Sequence, residues 1–196
     1  MLVIRIIVLI IVLIAVVYGN ISIAKHLENK RRPFIKKVKI LIMYNRNNML
    51  AKALNIAYSA HQGQIDKGGI PYIQHPIRVA LNCLTDDEKI VALLHDVIED
   101  TSVTVEELIN EGFNQNIIDA IISLTKRNGE DYMTFIRRVS SNELATLVKI
   151  QDLKDNMDLR RLNGKPHWKM DVYQKALSFL EGIQLSSQKM VSTSSQ

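Results

Sequence analysis

Side chains whose types and spacing could bind a metal or move a proton concentrate in three short stretches. The first runs from Ala60-His61-Gln62-Gly63-Gln64 through Asp66-Lys67-Gly68-Gly69 to Pro71-Tyr72-Ile73-Gln74-His75-Pro76. The second is His95-Asp96-Val97-Ile98-Glu99-Asp100-Thr101, and the third Lys149-Ile150-Gln151-Asp152-Leu153-Lys154-Asp155-Asn156-Met157-Asp158. Val91, Ala92, Leu93 and Leu94 are all apolar, so the His95-Asp96 pair is expected at the inner end of a buried helix. Charge there is costly unless it is paired or bound to a metal. With the helix continued, Glu99 lies four residues after His95 and Asp100 four after Asp96, so all four side chains are expected to face one pocket. An imidazole and three carboxylates turned inward would repel one another without a cation. Asp152 and Asn156, also four apart, line one face of a later helix.

The elements that must position these groups read as helices from Asn48 onward. Leu50, Ala53, Leu54 and Ala57 give one apolar face, and Ile117, Ile121, Ile122 and Leu124 another. Thr85 with Glu88, Thr104 with Glu107 and Ser140 with Glu143 have capping-box spacing. Gly68-Gly69, Pro71, Gly129 and Gly164-Lys165-Pro166 punctuate the helices. No segment alternates convincingly with a period of two, and the expected class is all-α. The chain after Leu185 is Ser-rich and expected to be loose.

The 196 residues carry a formal charge of +5, but unevenly. Residues 1–46 hold nine Lys and Arg against Glu28 alone, while the remaining 150 residues are net −3. A basic nucleic-acid-binding domain is therefore not what the total describes, and nucleic acid is not an expected partner. Cys83 is the only cysteine, which excludes an intrachain disulfide and a cysteine-based zinc site. Residues 1–18 are apolar except for Arg5. As a helix they would measure about 27 Å, close to the roughly 30 Å hydrocarbon core of a bilayer. Seven basic residues crowd positions 25–39, so the positive-inside rule favours an uncleaved single-pass anchor with the following domain on the cytoplasmic side. A secretory signal is the rival reading, since Ser22-Ile23-Ala24 resembles a cleavage site. Between anchor and domain, Phe34, Ile35, Val38, Leu41 and Ile42 give a basic amphipathic segment suited equally to anionic lipid or to the domain core.

The blocks resemble the HD-superfamily metal-dependent phosphohydrolases, and within them the hydrolase domain of the RelA/SpoT family and its small single-domain bacterial relatives. That family's pattern is A-H-x-G-Q, K-x-G-x-P-Y-I-x-H-P, H-D-V-x-E-D-T and K-x-x-D-x-x-x-N. All four strings stand here in that order, over residues 48 to 165. The resemblance implies an HD-domain helical bundle, here preceded by the single transmembrane helix that the apolar run suggests. The chain is then expected to divide into an anchor (1–19), a basic juxtamembrane segment (20–46), the phosphohydrolase domain (47–185) and a flexible tail (186–196).

It also implies roles. His75, His95, Asp96 and Asp152 match the family's metal ligands, and this donor set suits a divalent ion such as manganese, though also iron or zinc. Glu99 and Asp100 match the acidic pair beside the attacking water. Lys67 matches a lysine that meets substrate phosphates, Asn156 an asparagine of the pocket, and Tyr72 either touches substrate or packs over the pocket mouth. His61, on the apolar face of its helix, is expected behind the ligands rather than among them. Taken alone, His75 before Pro76 also suits a plain helix start.

The implied activity is hydrolysis of a nucleotide pyrophosphate ester, foremost the 3′-pyrophosphate of guanosine 3′,5′-bis(diphosphate). Another nucleotide or cofactor phosphate, or a noncatalytic membrane-bound nucleotide sensor, are the alternatives, and the oligomeric state is open. Two departures bear on this. Asp66 stands where the longer RelA/SpoT enzymes usually have an arginine before the lysine, and Asp155 where histidine commonly precedes the asparagine. An acid at position 66 cannot offer a guanine base a cationic plane.

Overall fold

The computed structural model describes residues 49–66, 69–160 and 168–193, with the backbone alone for 187–193. The described residues form helices α1 (Met49–Ala60), α2 (Gln74–Leu81), α3 (Asp86–Leu94), α4 (Val97–Asp100), α5 (Val105–Asn110), α6 (Gln115–Leu124), α7 (Tyr132–Val139), α8 (Glu143–Asn156) and α9 (Met170–Thr193). No strand occurs among them; Ile65 and Pro71 make an isolated antiparallel bridge. The all-α expectation holds for these residues, which cluster as one compact unit.

Helix α3 is the axis of the core. Ile90, Val91, Ala92, Leu93 and Leu94 are all buried, covering every side of the helix, so it must be surrounded. Helices α1, α2, α6 and α8 surround it. Burying Leu93 and Leu94 fully contributes about 1.5–3 kcal/mol each relative to exposure. Helix α8 is the second central element, packed on α2, α3, α6, α7 and α9. Ala145, Val148, Ile150 and Leu153 join it to the core, and Asp152 and Asp155 are carried inside with them.

Local chemistry sets the helix starts. Thr85 and Glu88 form the expected capping box of α3, and Thr104 and Glu107 that of α5. The third expected box does not form. Asn142 caps α8 by accepting from the Ala145 N–H, while Ser140 ends α7 and its hydroxyl donates to the Arg137 carbonyl. Asn142 has the better position because a side-chain acceptor one residue before the helix reaches its third N–H. On α6, Ile118 and Ala120 are buried with Ile117, Ile121 and Leu124, whereas Ile122 is 42% exposed. Helix α9 runs to Thr193, through the segment after Leu185 expected to be loose.

The expected anchor (1–19), the basic segment (20–46) and Lys67 lie outside the described residues. Among the described residues, no helix is long and apolar enough to cross a membrane.

Candidate metal centre

The first block is a turn that folds back on itself. Gly63 has φ 82°, a left-handed conformation that costs a residue with a Cβ, and it turns the chain as α1 ends. The Gln64 N–H then meets the His61 carbonyl at 3.1 Å. The Gln64 side chain accepts from His61 Nδ1 at 2.8 Å and donates to the Asp100 carbonyl at 2.9 Å, tying the turn to the end of α4. Asp66 closes the next loop. Its N–H donates to the Ile70 carbonyl at 2.8 Å and its carboxylate accepts the Ile70 N–H at 3.1 Å. The chain thereby enters α2 with His75 facing the core, 3% exposed.

Both imidazoles are held by Nδ1 so that Nε2 points to a common place. His95 ends α3, and its Nδ1 donates to the Ala92 carbonyl at 2.7 Å. His75 Nδ1 donates to the Asp155 carboxylate at 2.7 Å. His95 Nε2 lies 3.0 Å from Asp96 Oδ2 and 3.7 Å from Asp152 Oδ1. His75 Nε2 lies 3.1 Å from Asp152 Oδ1 and 3.7 Å from Asp96 Oδ2. Donor atoms of His75, His95 and Asp96 all fall within 4.8 Å of one another, and Asp152 joins them through Oδ1. All four expected ligands are thus brought together from α2, the α3–α4 junction and α8.

Their charges are strongly coupled. Burial favours neutral imidazole at His95, yet the adjacent Asp96 and Asp152 hold its pKa well above the ordinary value. His75 is raised too, Asp152 and Asp155 outweighing its burial. Burial would raise the carboxyl of Asp96, but His95 and His75 hold it below the usual range. Asp152 is lowered against its burial, by the Lys149 ammonium first and then by the two histidines.

The expectation that His95, Asp96, Glu99 and Asp100 share one unbroken helix is not met. The chain leaves α3 at His95, and Asp96, with φ −103° and ψ −6°, precedes the separate turn α4. Asp96 enters the cluster, whereas Glu99 and Asp100 stand exposed at its edge. Glu99 accepts the Lys126 N–H at 2.8 Å. Both carboxyls are raised, chiefly by partial burial, with Asp96 adding to the effect. Tyr72 gives its hydroxyl to Asp96 Oδ2, and burial followed by that carboxylate drives its own pKa up. The Asn156 amide donates to Asp152 Oδ1. His61 is buried, with its ring 4.9 Å from that of Tyr72.

Three residues given no role at the sequence level belong to the site. Lys149 donates to Asp152 Oδ2 at 2.8 Å and sits 5.0 Å over the Phe135 ring. It could have been found, three residues before Asp152 on one helix face. Asp155 and its partner Arg78 could not, because Asp155 meets His75 across 80 positions of sequence.

The donor set fits a divalent cation. His95 Nε2 is wholly buried and, despite its nearness to two carboxylates, makes no hydrogen bond of acceptable direction. Such an orphaned nitrogen among carboxylates is suited to a ligand bond, and two imidazoles with two carboxylates suit a borderline divalent ion.

Several known proteins resemble this chain. A guanosine-3′,5′-bis(diphosphate) 3′-pyrophosphohydrolase of Borreliella burgdorferi is 41% identical over 106 residues, covering 51% of this chain and 16% of that protein. One of the same description from Aquifex aeolicus is 32% identical over 152 residues, covering 71% of this chain and 20% of that protein. The chain therefore spans a fifth or less of these relatives. A solved structure described as a metazoan ortholog of SpoT that hydrolyzes ppGpp shares the fold. It has a TM-score of 0.55 and 22% identity, and the match covers 69% of this chain and 86% of that one. The model of the HD domain matches residues 53–154, more than half of the sequence and the span from α1 to α8 that builds the cluster; the chain belongs to the HD domain family.

Proposed function

We propose that this chain is a metal-dependent phosphohydrolase that removes the 3′-pyrophosphate of guanosine 3′,5′-bis(diphosphate). The convergence of His75 and His95 Nε2 on Asp96 and Asp152, beside an exposed pair of carboxylates, carries the proposal. The names of the Borreliella and Aquifex relatives support the substrate. His75, His95, Asp96 and Asp152 hold a divalent cation, which we take to be manganese. When bound, it supplies Lewis-acid polarisation of a phosphoryl oxygen and acidifies water.

The protein's own groups do the rest. Glu99 and Asp100 orient the attacking water and accept its proton, a task their raised pKa values suit. The water oxygen joins phosphorus, the bond from phosphorus to the 3′ oxygen breaks, and that oxygen leaves as a hydroxyl, the proton given up by the water being returned to it. Tyr72 and Asn156 line the pocket, and their bonds to Asp96 and Asp152 fix those carboxylates. Lys67 meets the phosphates as a point cation.

The test is a panel of nucleotide phosphates given to the purified chain with manganese. Pyrophosphate release from guanosine 3′,5′-bis(diphosphate) is expected, with loss of release in Asp96→Ala. Turnover of another member alone would replace the substrate, and tight binding without turnover would make the chain a sensor. A different phosphate ester is the second reading, favoured by Asp66, whose carboxylate is spent on the Ile70 N–H where an arginine would face a base.

We also read residues 1–18 as a single-pass anchor that keeps the domain on the cytoplasmic side. The apolar run and the basic excess behind it support this. Retention of the expressed chain in carbonate-washed membranes is expected; full release into the wash would remove the anchor.

A further inference from the structure

We infer that Asp155 is a positioning residue of the metal centre, gripping the far side of the His75 ring so that Nε2 is its ligand atom. The inference rests on the metal-site reading above. Helix α8 holds both nitrogens of one imidazole. Asp152 Oδ1 stands 3.1 Å from Nε2, and Asp155 Oδ2, three residues further along, stands 2.7 Å from Nδ1. The ring is thereby fixed between two carboxylates of one helix face.

Asp155 is itself locked. Arg78 Nε donates to its Oδ1 at 2.7 Å and Arg78 Nη2 to its Oδ2 at 3.1 Å, a two-pronged bond from the same helix that carries His75. The Asp155 side chain is 5% exposed and that of His75 3%. A buried ion pair of this kind adds little stability over apolar packing, so its presence against a ligand histidine calls for another use. A carboxylate on the outer nitrogen of a metal-binding imidazole sets the tautomer, fixes the ring plane and raises the basicity of the other nitrogen. The Ala92 carbonyl does this for His95 with a neutral acceptor, whereas Asp155 does it for His75 with a full charge. Position 155 thus bears on metal affinity although it cannot reach the metal.

The experiment follows manganese binding to the full chain by the electron spin resonance of free Mn2+, beside the melting temperature of the metal-free protein. Asp155→Ala is expected to weaken binding about 10- to 100-fold. Asp155→Asn, which keeps the volume and an oxygen acceptor without the charge, is expected to fall between that variant and wild type. It carries the test alone if the alanine variant does not fold. If Asp155 merely joins α2 to α8, both variants lower the melting temperature and bind manganese within twofold of wild type, and that result overturns the inference. A wild-type chain that takes up no manganese overturns the metal-site reading first, which separates the two failures.

Discussion

The imidazoles of His75 and His95 meet edge to face, 5.3 Å between ring centroids, each held through Nδ1 so that Nε2 faces the carboxylates of Asp96 and Asp152. On the proposed metal-site reading, two rings fixed in this way would act as one bidentate unit, so that loss of either would weaken binding by the other. His95→Gln and His75→Gln are each expected to lower manganese affinity about 100-fold or more, the upper end of what loss of a supporting residue costs. Isothermal titration with Mn2+ checks this; affinity unchanged in His95→Gln would remove His95 from the ligand set.

Glu99 and Asp100 should separate chemistry from metal binding. Glu99→Gln and Asp100→Asn are expected to lower kcat by about 10²-fold or more, the scale of general-base catalysis, with Mn2+ affinity within about threefold of wild type. Both carboxyls are raised, so the rate should climb with pH through a value above the ordinary carboxylate pKa near 4. Initial rates between pH 4 and 9 read the effect. Full activity in both variants would contradict the assignment.

A second charged pair supports the fold away from the site. Arg138 Nε and Nη2 donate to Glu130 at 2.9 and 2.8 Å, and the same guanidinium covers the carbonyls of Ile122, Ser123 and Thr125 at the end of α6. Arg138→Met is expected to cost about 1–3 kcal/mol, since bonds to charged groups are lost and carbonyls are uncovered. The Arg138 bond holds the Glu130 carboxyl at about 2. An unfolded glutamate titrates near 4.3, so this stabilisation is complete above about pH 5 and is lost as pH falls through the folded value. Urea midpoints of wild type and Glu130→Gln should differ at pH 7, draw together below about pH 4 and converge only near pH 2. A gap that widens in acid would reverse the sign.

Gly63 isolates the price of backbone conformation, because an added Cβ meets nothing within 4 Å while φ is +82°. Gly63→Ala is expected to lose about 1 kcal/mol, a shift of roughly 2–4 °C in melting temperature, and Gly63→Asn less. Thermal unfolding decides; equal stability of wild type and the alanine variant would mean the turn relaxes.

What the sequence made legible was mostly local or carried by motif. Thr85 with Glu88 and Thr104 with Glu107 cap helices as their spacing requires. The four expected ligands come together because the blocks place His75, the His95-Asp96 pair and Asp152 on elements that the apolar pattern drives into the core. Periodicity misled at His95, where an unbroken helix was expected but Asp96 starts a new turn, so Glu99 stands at the rim. At Ser140 a nearer competitor, Asn142, takes the cap. The role of Asp155 was visible only as a departure, since neither His75 nor Arg78 is its neighbour in the chain.

The most direct measurement loads the metal-free chain with Mn2+ stepwise and records, in the same sample, bound ion and pyrophosphate released from guanosine 3′,5′-bis(diphosphate). Release should rise in proportion to a single bound ion per chain, vanish on chelation and be absent in Asp96→Ala. Release that persists after chelation, or a fully loaded chain that releases none, would contradict the assignment of this centre as a metal-dependent pyrophosphohydrolase.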